Sequence, residues 1–175
     1  MTSASGQYTA YPVRRLDVVL PQPYDEAVRR YEELVPAVDL ARFGALGTWE
    51  AVREQAEINA PHAFMIYWTA DVTGLMATSP SGWKCSEYLM GNHVTAQGMF
   101  HHDPAVMLHA PLRTVLYADA EGRTHLNFDQ PSSHFASYGR PEVTEVGRRL
   151  DRQLADLLEL LGAEVPEVLR SAVPV

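Results

Sequence analysis

The chain has 175 residues, 46% of them hydrophobic and 21% charged, which is enough for one domain with a buried core. A net charge of −8, with the basic residues scattered, argues against nucleic acid as a partner. One cysteine, Cys85, leaves no internal disulfide and suits a reducing cytoplasm; no apolar run reaches the ~18 residues of a membrane span, so no membrane partner is expected.

Residues 1–12, MTSASGQYTAYP, lack the basic-then-apolar order of a signal peptide and read as a disordered lead to a single domain over 13–175. Val13 to Leu20 alternates as a first strand, closed by Pro21 and Pro23. Tyr24 to Val35 puts Tyr24, Ala27, Val28, Tyr31, Leu34 and Val35 on one helical stripe, and Pro36 ends it. Ala37 to Gly47 is partly helical; Thr48 caps a further helix to about Asn59, with Trp49, Val52 and Ala56 inward. His62 to Met76 is rich in aromatic and β-branched residues and reads as a strand. Ser79 to Gly82 turns the chain into a strand over Trp83 to Met90.

His93 to Ala110 is helical, restarting at Asp103-Pro104. Pro111 to Ala118 and Arg123 to Asp129 form a hairpin about Asp119 to Gly122. After a loop or short helix over Pro131 to Arg140, Pro141 opens a long helix. Val143, Val146, Leu150, Leu154, Leu157 and Leu161 line one side of it, and Gly162 stops it. The fold class is therefore α+β: an antiparallel sheet of about five strands covered on one face by helices, in the order β-α-β-β-(α)-β-β-α.

The stretch from Trp83 to Gly162 carries a Gly91-Asn92 step, Asp103-Pro104, Pro111-Leu112-Arg113, Tyr117, Asp119, Gly122 and Asp129-Gln130-Pro131, in that order and spacing. It resembles the core of the domain-of-unknown-function 302 family. The resemblance implies a β-α-β4-α arrangement similar to the TATA-binding-protein-like fold, commonly paired as a homodimer. The family has no settled biochemical function, so the resemblance implies a fold and not an activity. Before Trp83 the sequence departs from the family pattern, and Pro36 to Ala60 stands as a helical insert.

All the histidines except His62 lie between Tyr88 and Ser137. His125, Asn127 and Asp129 alternate with Leu126 and Phe128, so one face of that strand is polar and the other apolar. Arg113 and Tyr117, four apart on the partner strand, share a face, and the hairpin brings Tyr117 towards His125. Arg113 is suited to a carboxylate or enolate oxygen, and His125 or Asp129 to acid–base work. His125, Asp129 and Arg113 are the catalytic candidates. Glu87, Tyr88, Tyr117, Asn127, Tyr67, His93 and His102 are the substrate-binding candidates. The plainer alternative for each is a solvated strand face or a packed core side chain.

Neighbours on a helix point ~100° apart, so His101 and His102 do not face one ion together. No HExxH, HxH or paired-Cys spacing occurs, and no metal is expected. The sequence lacks a phosphate-binding glycine loop, and no cofactor is expected, although a lone histidine could serve as an axial haem ligand. These features lead to the expectation of a cofactor-independent isomerase, cyclase or lyase acting on a small hydrophobic metabolite, of the kind made in secondary metabolism. The alternative is a homodimer that binds a small molecule or haem without turnover.

Overall fold

The structure is a computed structural model that describes residue 6 and residues 8–171. Of the lead expected over 1–12, residues 1–5 and 7 lie outside the described residues; Tyr8 to Arg14 runs without regular structure. The chain then forms β1 (Arg15–Leu20), α1 (Tyr24–Leu34), α2 (Leu40–Gly44), α3 (Trp49–Asn59), β2 (Met65–Asp71), α4 (Val72–Leu75), β3 (Cys85–Gly91) and α5 (His93–Phe100). A 3-10 turn over Pro104–Leu108 leads to β4 (Leu112–Ala118), β5 (Thr124–Asp129), α6 (Pro131–Phe135) and the long α7 (Pro141–Leu160). The fold is α+β, with one antiparallel sheet in the order β1-β5-β4-β3-β2. With α2 to α6 left out, the chain reads β-α-β4-α.

The register sorts the strand residues by face. Val18 pairs with Leu126, Leu126 with Leu116, and Leu116 with Ser86; Thr114 pairs with both Phe128 and Tyr88. This face lies under α1 and α7, where Ala27, Tyr31, Val143, Leu150, Leu154 and Leu157 close the main core. Thr124 Oγ1 is buried at one end of this face without a partner, but the hydroxyls at its centre are matched. Tyr31 Oη donates to Met90 Sδ at 3.0 Å and takes Thr114 Oγ1 at 2.8 Å. Gly147 lets α6 sit directly on α7, because a Cβ there would meet Ser132 Cα and Phe135 Cβ at 3.0 Å. Gly162, at φ +73°, ends α7 with the left-handed residue that favours glycine.

Two local expectations change. The strand expected over His62 to Met76 is limited to Met65–Asp71, because the Asp71 side chain accepts Gly74 N–H at 3.0 Å and starts a helical turn. Trp49 is exposed rather than inward, and Gln55 and Ala56 form the buried side of α3. α2 and α3 build a second, smaller core of Phe43, Ala56, Ala60 and Met65, flanked by Tyr67 and Val94. No helix among the described residues is long and apolar enough to cross a membrane.

Candidate functional site

Among the described residues, no long helix packs on the other face of the sheet; only Val72 and Met76, from α4 and its end, come against it, beside Cys85, Val115 and Tyr117. Side chains two apart on a strand share a face, and cross-strand partners do too. The pairs Asp17–Asn127, Asn127–Val115, Val115–Glu87, Val19–His125, His125–Tyr117 and Arg113–Leu89 therefore all lie on it. Arg113 pairs with Glu87 at 3.0 Å. His125, Asn127, Asp129, Arg113, Tyr117 and Glu87 thus share one surface, opposite Leu126 and Phe128. Within that surface they separate into two ends.

At one end, His125 is held by a stack and one hydrogen bond. Its ring stacks on Tyr117 at 4.8 Å and 16°. Nε2 bonds Asp119 Oδ2 at 3.0 Å, and Nδ1 lies 3.3 Å from Asp17 Oδ1 without hydrogen-bond geometry. The Tyr117 hydroxyl donates to Asp17 Oδ2 at 2.9 Å. Asp119 also accepts Arg123 Nε at 2.7 Å and the main-chain N–H groups of Glu121 and Arg123. Burial alone would raise the Asp119 carboxyl, but the bonds from His125 and Arg123 hold it well below the usual carboxylate range. His125 is only 8% exposed. Nearby, burial and then Glu87 raise the Cys85 thiol, which keeps it protonated and poorly nucleophilic.

At the other end, four polar side chains reach one groove of about 360 Å³: Arg113, Asp129, His134 and His109. Leu89, Met107, Leu108, Pro111 and Leu112 form its apolar wall. The imidazoles of His109 and His134 stack at 4.2 Å and 21°. A hydrogen-bonded chain runs from Asp129 Oδ2 to His134 Nε2 (3.3 Å), from His134 Nδ1 to the Tyr11 hydroxyl (3.4 Å), and on to His109 Nε2 (3.1 Å). One consistent proton assignment has His134 Nε2–H donating to Asp129, Tyr11 donating to His134, and His109 Nε2–H donating to Tyr11. Burial, and then the neighbouring His134, pull the His109 imidazole below its ordinary range, with Asp129 opposing. An acid–base chain ending beside a guanidinium and an apolar wall can hold an anionic or enolic oxygen and move a proton next to it.

Of the three catalytic candidates, Arg113 and Asp129 line this groove, whereas His125 is not among its lining residues. They do not form one cluster, because four steps along β5 carry His125 ~13 Å from Asp129.

A third feature lies on the helix side. Tyr67 is the extra residue where the β2–β3 register shifts between Ile66 and Trp68, and a bulge re-aims the side chain it carries. Its hydroxyl lies 2.7 Å from His93 Nδ1 and accepts His93 N–H at 3.0 Å. The two residues border a chamber of about 80 Å³, with Met99, Met107, Pro111, Leu112, Phe135 and Leu150 around it. That is far below the several hundred Å³ of a drug-sized ligand's pocket, and a porphyrin needs at least as much.

Tyr88 lies on the core face, its ring against Tyr31 and its hydroxyl donating to Glu32 Oε1 at 3.0 Å. Burial, and then Glu32, push its phenol upward. It faces away from Arg113 and borders a separate groove with Tyr24, Asp71 and Ser86. His102 is exposed, edge-on to His101. No three of His, Cys, Asp and Glu come together as metal ligands among the described residues.

The residues not anticipated are Tyr11, His134, Asp17 and Asp151. Tyr11 comes from the lead and carries no local signal. His134 falls beside Asp129 only because Pro131 starts a helix straight after β5. Asp151 had a signal, since it interrupts the apolar side of α7. It is 4% exposed and accepts Ser132 N–H at 3.0 Å and Gln130 Nε2–H at 2.7 Å.

No curated protein matches the chain. A crystal structure of an uncharacterized conserved DUF302 protein from Bacillus stearothermophilus superposes with a TM-score of 0.61 at 15% identity, covering 84% of this chain and 97% of that one. At that identity the likeness extends to the fold alone. The model of the domain of unknown function DUF302 matches residues 38–161, well over half of the chain and including α3. The chain therefore belongs to the DUF302 family.

Proposed function

We propose that the groove between Arg113, Asp129, His109 and His134 binds a small hydrophobic metabolite and converts it by acid–base chemistry without a cofactor, as an isomerase, cyclase or lyase does. The observation that carries this reading is the convergence of a guanidinium and a carboxylate–imidazole–phenol–imidazole chain on one apolar-walled groove. Arg113 steadies a carboxylate or an enolate oxygen of the substrate. His134 Nε2–H orients the Asp129 carboxylate, the accepting end of the chain, which takes a proton from one carbon of the substrate and returns it to another. The lone, protonated Cys85 suits a cytoplasmic setting.

The test is ligand-observed NMR with 2-naphthoate, an apolar carboxylate, as the probe. The expected result is saturable binding that weakens at least tenfold in Arg113→Ala and shifts the His134 ring signals. No saturable binding, or equal binding by Arg113→Ala, would overturn the reading.

The sheet face without a long helix supports a second reading, a non-catalytic binding homodimer. Trp68 is about half exposed on it beside the partly buried Leu89, and Trp83, just before β3, is about half exposed next to Val115. Large apolar side chains left exposed on a sheet face are what a pairing surface would cover. The haem form of this reading needs the His93 chamber to widen well beyond about 80 Å³; a Soret band on adding haemin, absent in His93→Ala, would support it.

A further inference from the structure

The chamber beside α5 is separate from the groove, with the lead into β4 standing between them: Leu112 faces the helix side and Arg113 the open face. Its lining includes three polar side chains whose bonding can be followed atom by atom. Asn92 uses its amide on Val94 N–H and the Ala63 carbonyl. Tyr67 uses its hydroxyl on His93 alone. His93 Nε2 is buried and bonds nothing among the described residues.

The proton on that ring can be assigned. The Tyr67 oxygen already accepts His93 N–H, and its own proton has His93 Nδ1, at 2.7 Å, as its acceptor. Nδ1 therefore accepts and the ring proton sits on Nε2. Burial lowers the His93 imidazole, which keeps the ring neutral in that tautomer at pH 7. The Phe43 ring, from the small core of α2 and α3, meets the imidazole at 4.4 Å and 85°, so the ring cannot swing freely.

A buried N–H without a partner costs about 1–3 kcal/mol. An ordered water needs two to four polar partners, and beside the His93 donor the wall is apolar apart from Thr95 and the already bonded Asn92 and Tyr67. We infer that this chamber is a binding site for a small, neutral, mostly apolar molecule with one hydrogen-bond acceptor, a ketone or aldehyde carbonyl, held by His93 Nε2–H. Its size limits the ligand. An apolar cavity of about 150 Å³ takes benzene, and this one is about 80 Å³. The guest is smaller than benzene, or is the carbonyl end of a longer molecule.

The experiment titrates the isotope-labelled full chain with 2-butanone, and separately with 2-methyl-1-butene, which has the same shape with CH2 in place of oxygen. Long-range proton–nitrogen spectra report on the His93 ring. The expected result is an Nε2-protonated tautomer in the free protein and saturable His93 shifts with the ketone. The hydrocarbon should bind at least tenfold more weakly, about 1.4 kcal/mol. His93→Phe, which keeps an aromatic ring against Phe43, should abolish the preference for the ketone. Should that variant fail to fold, Tyr67→Phe should give mixed tautomers and a reduced preference. An Nδ1-protonated ring, equal binding of the two probes, absence of saturation, or an unchanged preference in the folded variant would each overturn the proposal. Because these signals are read at His93 and the groove is probed through Arg113, either proposal can fail alone.

Discussion

His125 shows how a residue suited to chemistry by type can be tied down by its neighbours. An imidazole bonded at 3.0 Å to the Asp119 carboxylate, with a phenol stacked on it, is part of the hairpin's framework. His125→Ala is therefore expected to destabilise the fold, roughly 1–3 kcal/mol for polar partners left unmatched, although truncating an ordinary polar strand residue would leave the melting temperature unchanged. An unaltered urea midpoint would contradict this. His93 and His109 give a second expectation. An unfolded histidine titrates near 6.5, and burial pulls both folded imidazoles below that. In the window between, the unfolded chain binds more protons. This contribution to stability is present above about pH 6.5 and is lost as pH falls through the folded values. Urea melts at about pH 7.5 and 5 should show the loss, and it should shrink in the His93→Gln, His109→Gln double variant; the same loss in that variant would rule these two groups out.

Among the elements, α7 and β5 were the most legible. The apolar residues of α7 recur at helical spacing over twenty residues, and Val143, Leu150, Leu154 and Leu157 are buried as that spacing requires. Leu154 is 1% exposed, so Leu154→Ala should cost about 2–5 kcal/mol in a urea melt. An unchanged midpoint would remove α7 from the core. β2 was less legible, because a run of aromatic and β-branched residues does not reveal where a cap begins. Asp71 ends the strand by bonding Gly74 N–H, a local bond competing with the ladder. Tyr67 reaches His93 through a one-residue register shift that leaves no mark in composition.

For the molecule over its described residues, one sheet face is closed by α1 and α7, and the other carries no long helix. The proposed homodimer would cover it. Light scattering at micromolar concentration is expected to give twice the 19.5 kDa chain mass; a mass at the single-chain value would count against pairing through this face. The two cavities meet at the start of β4, one small and apolar, the other larger and charged, and nothing in the length or composition of the chain separates them.

The sequence by itself determined the α+β class, the hairpin around Asp119 to Gly122, the inward side of the closing helix, and the face of β5 that carries His125, Asn127 and Asp129. These follow from periodicity and turn chemistry, which act over a few residues. It also carried the motif order by which the family was recognised. Only the tertiary structure decided which polar residues meet. Tyr11 reaches His109, 98 positions away, and His134, 123 positions away. Asp17 reaches Tyr117 across 100. Such contacts depend on the stacking order of the strands and on where the chain ends come to rest, and side-chain alternation along one strand carries no information about either.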